Sequence, residues 1–324
     1  MEGREAMTDQ TDSQQPEANT PDDPEHGDRR CGFAALIGAP NAGKSTLLNQ
    51  LVGEKVSIVT HKVQTTRTLV RGIAMHGNSQ VIFVDTPGIF RPRRRLDSAM
   101  LKTAWSGAKD ADLVVLLIDV RKAREPETME ILERLADVPI PRLLCLNKID
   151  TVKRDTLLEI VARLNAQLKF EATFMISALT GDGCADLLEA VAKAMPPGPW
   201  LYPEDQVSDY PVKQLAAEIT REKLFIRLHE ELPYESMVET EQWKPLKDGS
   251  LRVEQVIYVA RDSQRGIVLG KKGQMIKEIG AQSRRELEEI LERKVHLFLF
   301  VKVREKWSDD PERYREMGLE FPTD

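Results

Sequence analysis

Long apolar runs are absent from this chain of 324 residues. No stretch reaches the roughly 18 consecutive apolar residues a membrane-crossing helix needs, so none is expected. The N-terminal residues lack a basic start followed by an apolar stretch, so no secretory signal is expected. Cysteine is scarce: Cys31, Cys145 and Cys184 are odd in number, far apart and without paired spacing. Free or buried thiols in a reducing cytoplasm are the expectation. Residues 1–30 contain no Leu, Ile, Val or aromatic residue. Such a segment cannot bury enough apolar surface to offset the entropy of ordering, so a disordered acidic tail is expected there. An excess of positive charge is also lacking, since the formal net charge is −6. The tail, with nine acids against three bases, accounts for all of it, and the remainder carries 43 of each sign. The acidic total therefore does not exclude a basic, nucleic-acid-binding face elsewhere.

Beyond the tail, the short apolar runs Phe33–Ile37, Val81–Val84, Leu113–Ile118, Arg142–Leu146 and Thr173–Ile176 read as strands buried on both faces of a sheet. Helical patterns alternate with them at Ser45–Leu51, Leu96–Ala108, Glu125–Leu135, Thr156–Leu168 and Ala185–Ala194. That alternation implies an α/β domain with a mixed, mostly parallel sheet over residues 31–200. Thr68–Met75 adds an antiparallel edge strand, turning into Val81 through Gly77-Asn78. The proline-rich stretch from Met195 to Pro211 reads as a semi-rigid linker. Residues 201–324 follow a different order. Val212–Glu231 reads as a helix with Leu215, Ile219 and Ile226 on one face. Met237–Trp243 and Leu251–Ala260 read as strands, Ile267–Ile279 and Ala281–Leu291 as helices, and Val295–Val303 as a last strand. This is a smaller α+β layer.

The chemistry sits in loops that end the strands. Gly38, Ala39, Pro40, Asn41, Ala42, Gly43, Lys44 and Ser45, with Thr46 next, form a phosphate loop between a strand and a helix. Backbone N–H groups and the helix N-terminus would face a β-phosphate, Lys44 would neutralise the β- and γ-phosphates, and the Ser45 hydroxyl would bind Mg²⁺. Asp85, Thr86, Pro87 and Gly88 follow the next strand: Asp85 would hold Mg²⁺ through water, and the Gly88 N–H would meet a γ-phosphate. Asn147, Lys148 and Asp150 end a third strand. A carboxylate at Asp150 can accept guanine N1–H and the exocyclic amine together, an edge adenine lacks. Asn147 can contact N7 and tie loops together, and the Lys148 stem can cover the base. Ser177, Ala178 and Leu179 would lend the Ala178 N–H to guanine O6. GTP or GDP with Mg²⁺ is the implied ligand.

In the second domain, Gly270, Lys271, Lys272 and Gly273 form a G-x-x-G turn between helical segments, which lets backbone approach nucleic-acid phosphates. Arg265 and Lys277 add charge nearby, and residues 261–285 hold seven bases against Asp262 and Glu278. Ile267, Leu269, Ile276 and Ile279 supply apolar surface for bases. This pattern resembles a KH domain of the bacterial type (type II).

Taken together, the nucleotide motifs resemble the translation-factor-like class of GTP-binding proteins, and residues 33–317 resemble the Era family of bacterial GTPases. Glu218–Leu224, Leu232–Glu235, Val295–Leu297, Val301–Val303 and Trp307 carry that resemblance outside the generic motifs. The resemblance implies that Gln64-Thr65-Thr66-Arg67 is a switch segment whose Thr66, rather than Thr65, caps Mg²⁺ and the γ-phosphate. It implies a K⁺ beside Asn41, binding of the 3′ region of small-subunit ribosomal RNA, assistance to 30S maturation, and a cytoplasmic monomer with peripheral membrane contact. Lys44, Thr66 and Gly88 would carry catalysis. Ras-like proteins place a water-orienting Gln after this D-x-x-G segment, whereas Ile89 stands here, so slow unaided hydrolysis is expected. The basic run Arg91–Arg95 lies outside the pattern and reads as a solvated loop, with contact to RNA as the alternative. The alternative is a membrane-associated signalling GTPase whose basic C-terminal domain binds lipid or protein. A nucleotide kinase would not need the guanine reader, and a Der-type GTPase would carry two phosphate loops.

Overall fold

The computed structural model describes residues 28–92, 94–305 and 310–322. The acidic tail up to residue 27, Arg93 and Trp307 lie outside the described residues. Six strands form one sheet in the order β2-β3-β1-β4-β5-β6. These are β1 (Arg30–Ile37), β2 (Val70–His76), β3 (Ser79–Asp85), β4 (Leu113–Asp119), β5 (Arg142–Asn147) and β6 (Ala172–Ile176). All neighbours are parallel except β2, which pairs antiparallel with β3 through the turn at Gly77-Asn78.

Alternation along each strand divides the core. Ala34, Leu36, Val115 and Leu117 face α1 (Lys44–Val52) and α5 (Cys184–Ala194). Ala35, Ile37, Leu116 and Ile118 face α2 (Arg95–Lys109), α3 (Pro126–Ala136) and α4 (Arg154–Gln167). Both faces of the central strands are dry, which is why they read as unbroken apolar runs. β6 departs from that expectation. It is an edge strand, only half-buried, with Met175 exposed.

The proline-rich linker is not a free spacer. Trp200 Nε1 donates to Asn78 O at 3.1 Å, Gln80 Nε2 to Tyr202 O at 2.8 Å, and Ile73 N to Val207 O at 2.9 Å. It lies along the β2 edge and satisfies backbone groups that an open edge would expose.

The second domain packs α6 (Val212–Arg227), α7 (Asp262–Leu269) and α8 (Gln274–Leu291) on a sheet of β7 (Met237–Pro245), β8 (Leu251–Val259) and β9 (Val295–Val303). β7 and β8 are antiparallel, and β8 and β9 parallel. A short helix, α9 (Pro311–Glu316), brings Tyr314 and Leu319 onto Leu96 and Met100 of the first domain. No described helix is long and apolar enough to cross a membrane.

Three expectations for this domain need correction. The helical break falls at Gly270–Gly273, not near Gly280: α7 ends at Leu269 and α8 runs unbroken to Leu291. Gly270 (φ 70°), Lys272 (φ 52°) and Gly273 (φ 75°) all leave the right-handed helical region, which ends a helix in a way one mid-helix glycine does not. α6 stops at Arg227, because Leu228 turns extended and inserts into the core. Ile226 is exposed rather than core-facing. The buried set on α6 includes Ala216, Ile219, Thr220, Arg221, Glu222, Leu224 and Phe225. A helix buried on several sides is covered by more than its own sheet, and here the first domain supplies the second cover.

Candidate functional site

The candidate site is the edge of the large sheet where β1, β3, β5 and β6 end, the usual ligand position in an open α/β sheet. The phosphate loop leaves β1 at Gly38 and enters α1 at Lys44. Gly43 adopts φ 103°, and a Cβ there would collide with the Asn147 amide, so the loop requires glycine. Lys44 is buried, and its ammonium donates to Gly38 O at 3.0 Å and Ala39 O at 3.2 Å. Burial draws its pKa down to about 8, with Asp85 pulling the other way.

Four hydroxyl and carboxylate groups meet beside it. The Ser45 hydroxyl donates to Asp85 Oδ2 at 2.6 Å and lies 2.9 Å from Thr66 Oγ1. Thr66 Oγ1 donates to the same carboxylate oxygen at 3.3 Å, and Ser57 Oγ does so at 3.1 Å. Burial raises the Asp85 pKa, opposed by Lys44 and these hydroxyls. Among the described residues, Asp85 Oδ1 is buried without a hydrogen-bond partner. One carboxylate with an unused oxygen, plus the Ser45 and Thr66 hydroxyls, is a hard-oxygen set that fits Mg²⁺, an ion that keeps several of its own waters. Thr65 stands apart: its hydroxyl bonds Thr60 Oγ1 at 2.6 Å and Lys62 O at 2.8 Å.

The remaining residues of the third-strand loop divide by direction. Thr86 Oγ1 donates to Leu36 O at 2.8 Å, tying β3 to β1, and Pro87 is buried. Gly88 lies against Pro40, closely enough that any Cβ would strike the phosphate-loop backbone. Ile89 is buried in the core with Ala35, Ile37 and Ala104, so its side chain does not face the phosphate cleft.

Asn147 ties the guanine end together. Its Nδ2 donates to Ala42 O at 2.8 Å, and its Oδ1 accepts from Ala178 N at 2.9 Å and Lys148 N at 2.8 Å. The Ala178 N–H, expected to meet guanine O6, is thus engaged with Asn147. Lys148 adopts φ 67° and sends its ammonium to Asn41 O at 2.6 Å and to Asp119 Oδ2 at 2.9 Å. Asp150 is exposed on the short turn Ile149–Thr151. Ser177 is buried and Leu179 is exposed beside it. Asn41 Nδ2 donates to His61 O at 2.7 Å, joining the phosphate loop to the following segment. Thr46 is half-buried on the first turn of α1.

Sequence reasoning missed Asp119 and Ser57. Asp119 ends β4 as Asp85 ends β3, so the same positional argument could have found it. Burial opposes its charge, yet bonds from Arg121 and Lys148 outweigh that and hold the carboxyl at about 2. Ser57 carries no such signal. It is placed by Asn49 of α1, whose amide accepts from Val56 N at 3.0 Å and Ser57 N at 2.9 Å and donates to Ser57 O at 2.8 Å.

In the second domain, Arg265, Ile267, Lys271, Lys272 and Lys277 are exposed, and Leu269, Gly270, Gly273 and Ile276 are half-buried around the same turn. Ile279 belongs to the core beneath it and offers no surface, because it faces the sheet in the unbroken helix α8. The run around Arg91–Arg95 is held by partners: Arg91 pairs with Glu130, Arg94 with Glu231 at 2.5 Å, and Arg95 stacks over Phe321 at 5.4 Å.

Comparison with known proteins follows the same division. Residues 33–148 match the family described as 50S ribosome-binding GTPase, and residues 231–308 match the KH domain family. A relative named GTPase Era, from Mesorhizobium japonicum, is 67% identical over 90% of this chain and 94% of its own. The chain belongs to the Era family of GTPases. Two solved Era structures, both 37% identical, share the fold over both domains. One, from Aquifex aeolicus, is a variant bound to GDP and AlF₄⁻, with a TM-score of 0.85 over 89% of this chain and 99% of that one. The other is Era in complex with MgGDPNP and nucleotides 1506–1542 of 16S ribosomal RNA, with a TM-score of 0.84 over 90% of this chain and 99% of that one.

Proposed function

We propose that this Era-family chain is a slowly hydrolysing GTP switch that grips the 3′ region of small-subunit ribosomal RNA and assists 30S maturation. The observation that carries the reading is the meeting of Ser45, Thr66 and Asp85 within 3.3 Å, in a chain whose second domain presents a lysine-bearing G-x-x-G turn. Lys44 and the loop amides of residues 38–46 bind the β- and γ-phosphates. Ser45, Thr66 and Asp85 would hold Mg²⁺ when it is bound. The bound ion supplies charge neutralisation and orientation of the terminal phosphates. The Gly88 N–H senses the γ-phosphate. Asp150 reads guanine, with Lys148 over the base and Asn147 and Ala178 fixing the loops.

With Ile89 in the core, no side chain at that position orients the attacking water. Thr66, the switch backbone or a partner does so, and hydrolysis is slow. GTP orders the segments around Thr66 and Gly88, which alters domain packing and the access of RNA to Gly270–Gly273. The RNA surface comprises Arg265, Ile267, Leu269, Lys271, Lys272, Ile276 and Lys277. A K⁺ beside Asn41 rests on the family resemblance alone; in this structure the Asn41 amide donates to His61 O. Peripheral contact with the inner face of the cell membrane and a monomeric state rest on the family resemblance alone.

The test is the affinity of the full chain for an RNA oligonucleotide of the small-subunit 3′ end, measured with a non-hydrolysable GTP analogue and with GDP. Tighter binding in the GTP form is expected. Equal affinities would exclude the switch, because a ligand with no preference between states shifts nothing.

A further inference from the structure

We infer that Arg221, in the second domain, is a positioning residue for GTP hydrolysis: it holds the main chain at Thr65 so that the Thr66 hydroxyl faces Ser45 and Asp85. The inference rests on the reading of Thr66 as the switch threonine. Arg221 lies on α6 and is 2% exposed. Its Nη2 donates to Thr65 O in the first domain. Glu218 takes its Nε at 2.7 Å, and the guanidinium stacks 5.0 Å from the centre of the Phe225 ring, so the arginine is aimed rather than loose.

Other bonds from the second domain frame the same segment. Glu222 accepts from Val59 N at 2.8 Å and pairs with Lys55 at 2.9 Å. Arg67 donates to Ser236 O at 3.0 Å and Tyr234 O at 3.0 Å. The stretch between Lys55 and Arg67 is therefore bonded to the second domain at both ends, and Arg221 adds a hold at Thr65, two residues before Arg67 and one before Thr66. Among the described residues, Arg221 Nη1 is buried without a hydrogen-bond partner. A buried guanidinium with an unmatched amine is a costly way to fill space, so packing alone does not account for it. GDP has no terminal phosphate for the switch threonine to cap. Any contribution of Arg221 should therefore appear with GTP and be absent with GDP.

The experiment uses the full chain with Arg221→Ala and Arg221→Lys. Three quantities are read: single-turnover GTP hydrolysis, affinities for fluorescent GDP and a non-hydrolysable GTP analogue, and hydrogen exchange at residues 59–66 without nucleotide. Expected for Arg221→Ala are a fall in hydrolysis of about 10- to 100-fold, weaker analogue binding and faster exchange, with GDP affinity within about twofold of the parent. Arg221→Lys recovers part of each, since an ammonium can reach one carbonyl but lacks the fork. If Arg221→Ala does not fold, Glu222→Gln keeps the volume while weakening the hold on Val59, and the same pattern is expected at smaller size. Unchanged hydrolysis and exchange in folded variants would overturn the inference. So would equal weakening of GDP and the analogue, which marks a merely structural residue. If the parent protein neither binds nor hydrolyses GTP, the functional reading fails instead, and the exchange comparison still decides whether Arg221 holds the segment.

Discussion

Replacing Asn147 by alanine tests whether the guanine end is assembled by the protein itself. Asn147 is 2% exposed and makes three hydrogen bonds, to Ala42 O, Ala178 N and Lys148 N. Ala42 and Ala178 are themselves buried, so Asn147→Ala leaves a buried carbonyl and a buried N–H without partners. Each such group costs about 1–3 kcal/mol, while the half-buried Lys148 N–H can turn to water. The bonds share one side chain and do not add fully, so a loss of about 2–4 kcal/mol is expected for the first domain. For a domain of this size that lowers its melting temperature by roughly 5–15 °C. Calorimetry on the nucleotide-free full chain reads this directly. Asn147→Asp sharpens the test. A carboxylate keeps the two acceptor bonds but sets an oxygen against Ala42 O, where an amide donor stood at 2.8 Å. It should destabilise as much as alanine. If Asn147 acted only by touching the base, nucleotide-free Asn147→Ala would melt within about 1 °C of the parent, and the reasoning would be refuted.

Asp119→Asn should matter less as acid is added. The carboxyl is held at about 2, below its ordinary 3.8, so its stabilisation is complete above about pH 4 and is lost as pH falls toward 2. Half-exposed Arg121 screens the pairing, which limits the effect to about 1 kcal/mol. Urea titrations at several pH values should show the gap to Asp119→Asn closing toward pH 2, and a gap constant with pH would contradict this. Ile89→Gln should not accelerate hydrolysis, because the position points into the core; it should instead destabilise by about 2–3 kcal/mol. A tenfold rise in rate with an unchanged melting temperature would show that the side chain reaches the cleft. The double substitution Lys271→Glu and Lys272→Glu, both at exposed sites, should weaken RNA binding at least about tenfold and flatten its salt dependence, leaving the melting temperature unchanged. RNA affinity that survives it would remove the turn from the interface.

The loops at Gly38–Ser45, Asp85–Gly88, Asn147–Asp150 and Ser177–Leu179 stood out in the sequence because each sets particular residues next to a strand end. Gly43 is needed at φ 103°, and an acid or amide must end β3 and β5. The strands were legible because two-sided burial makes their apolar runs unbroken. Three things were hidden. Ser57 reaches Asp85 only through the path of the chain after α1, which Asn49 fixes by three bonds. The break at Gly270–Gly273 was blurred because apolar residues keep helical spacing on both sides of it. The linker's docking depends on Gln80, a buried polar residue within β3 whose partner lies more than a hundred residues away.

The case of α6 explains the most. Its sequence, Glu218 to Leu224, carried family resemblance without any visible role, and a single apolar stripe was the natural reading. That stripe fails at Ile226 because a one-sided helix is the wrong premise. Thr220, Arg221 and Glu222 are all buried, and two of them bond the segment between Lys55 and Arg67. From the same helix, Arg227 pairs with Glu278 of α8 at 2.5 Å, four residues into the helix that starts just after Gly273. One element thus touches both the segment beside the Ser45, Thr66 and Asp85 oxygens and the helix behind the G-x-x-G turn. Energetic linkage between two ligands is reciprocal, so under the proposed switch any tightening of RNA binding by GTP is matched by an equal tightening of GTP binding by RNA, and α6 is placed to carry it. A helix buried between two domains, with Glu222 paired to Lys55 across the interface, can carry such a coupling, whereas a helix with one solvated face would dissipate it through local adjustment.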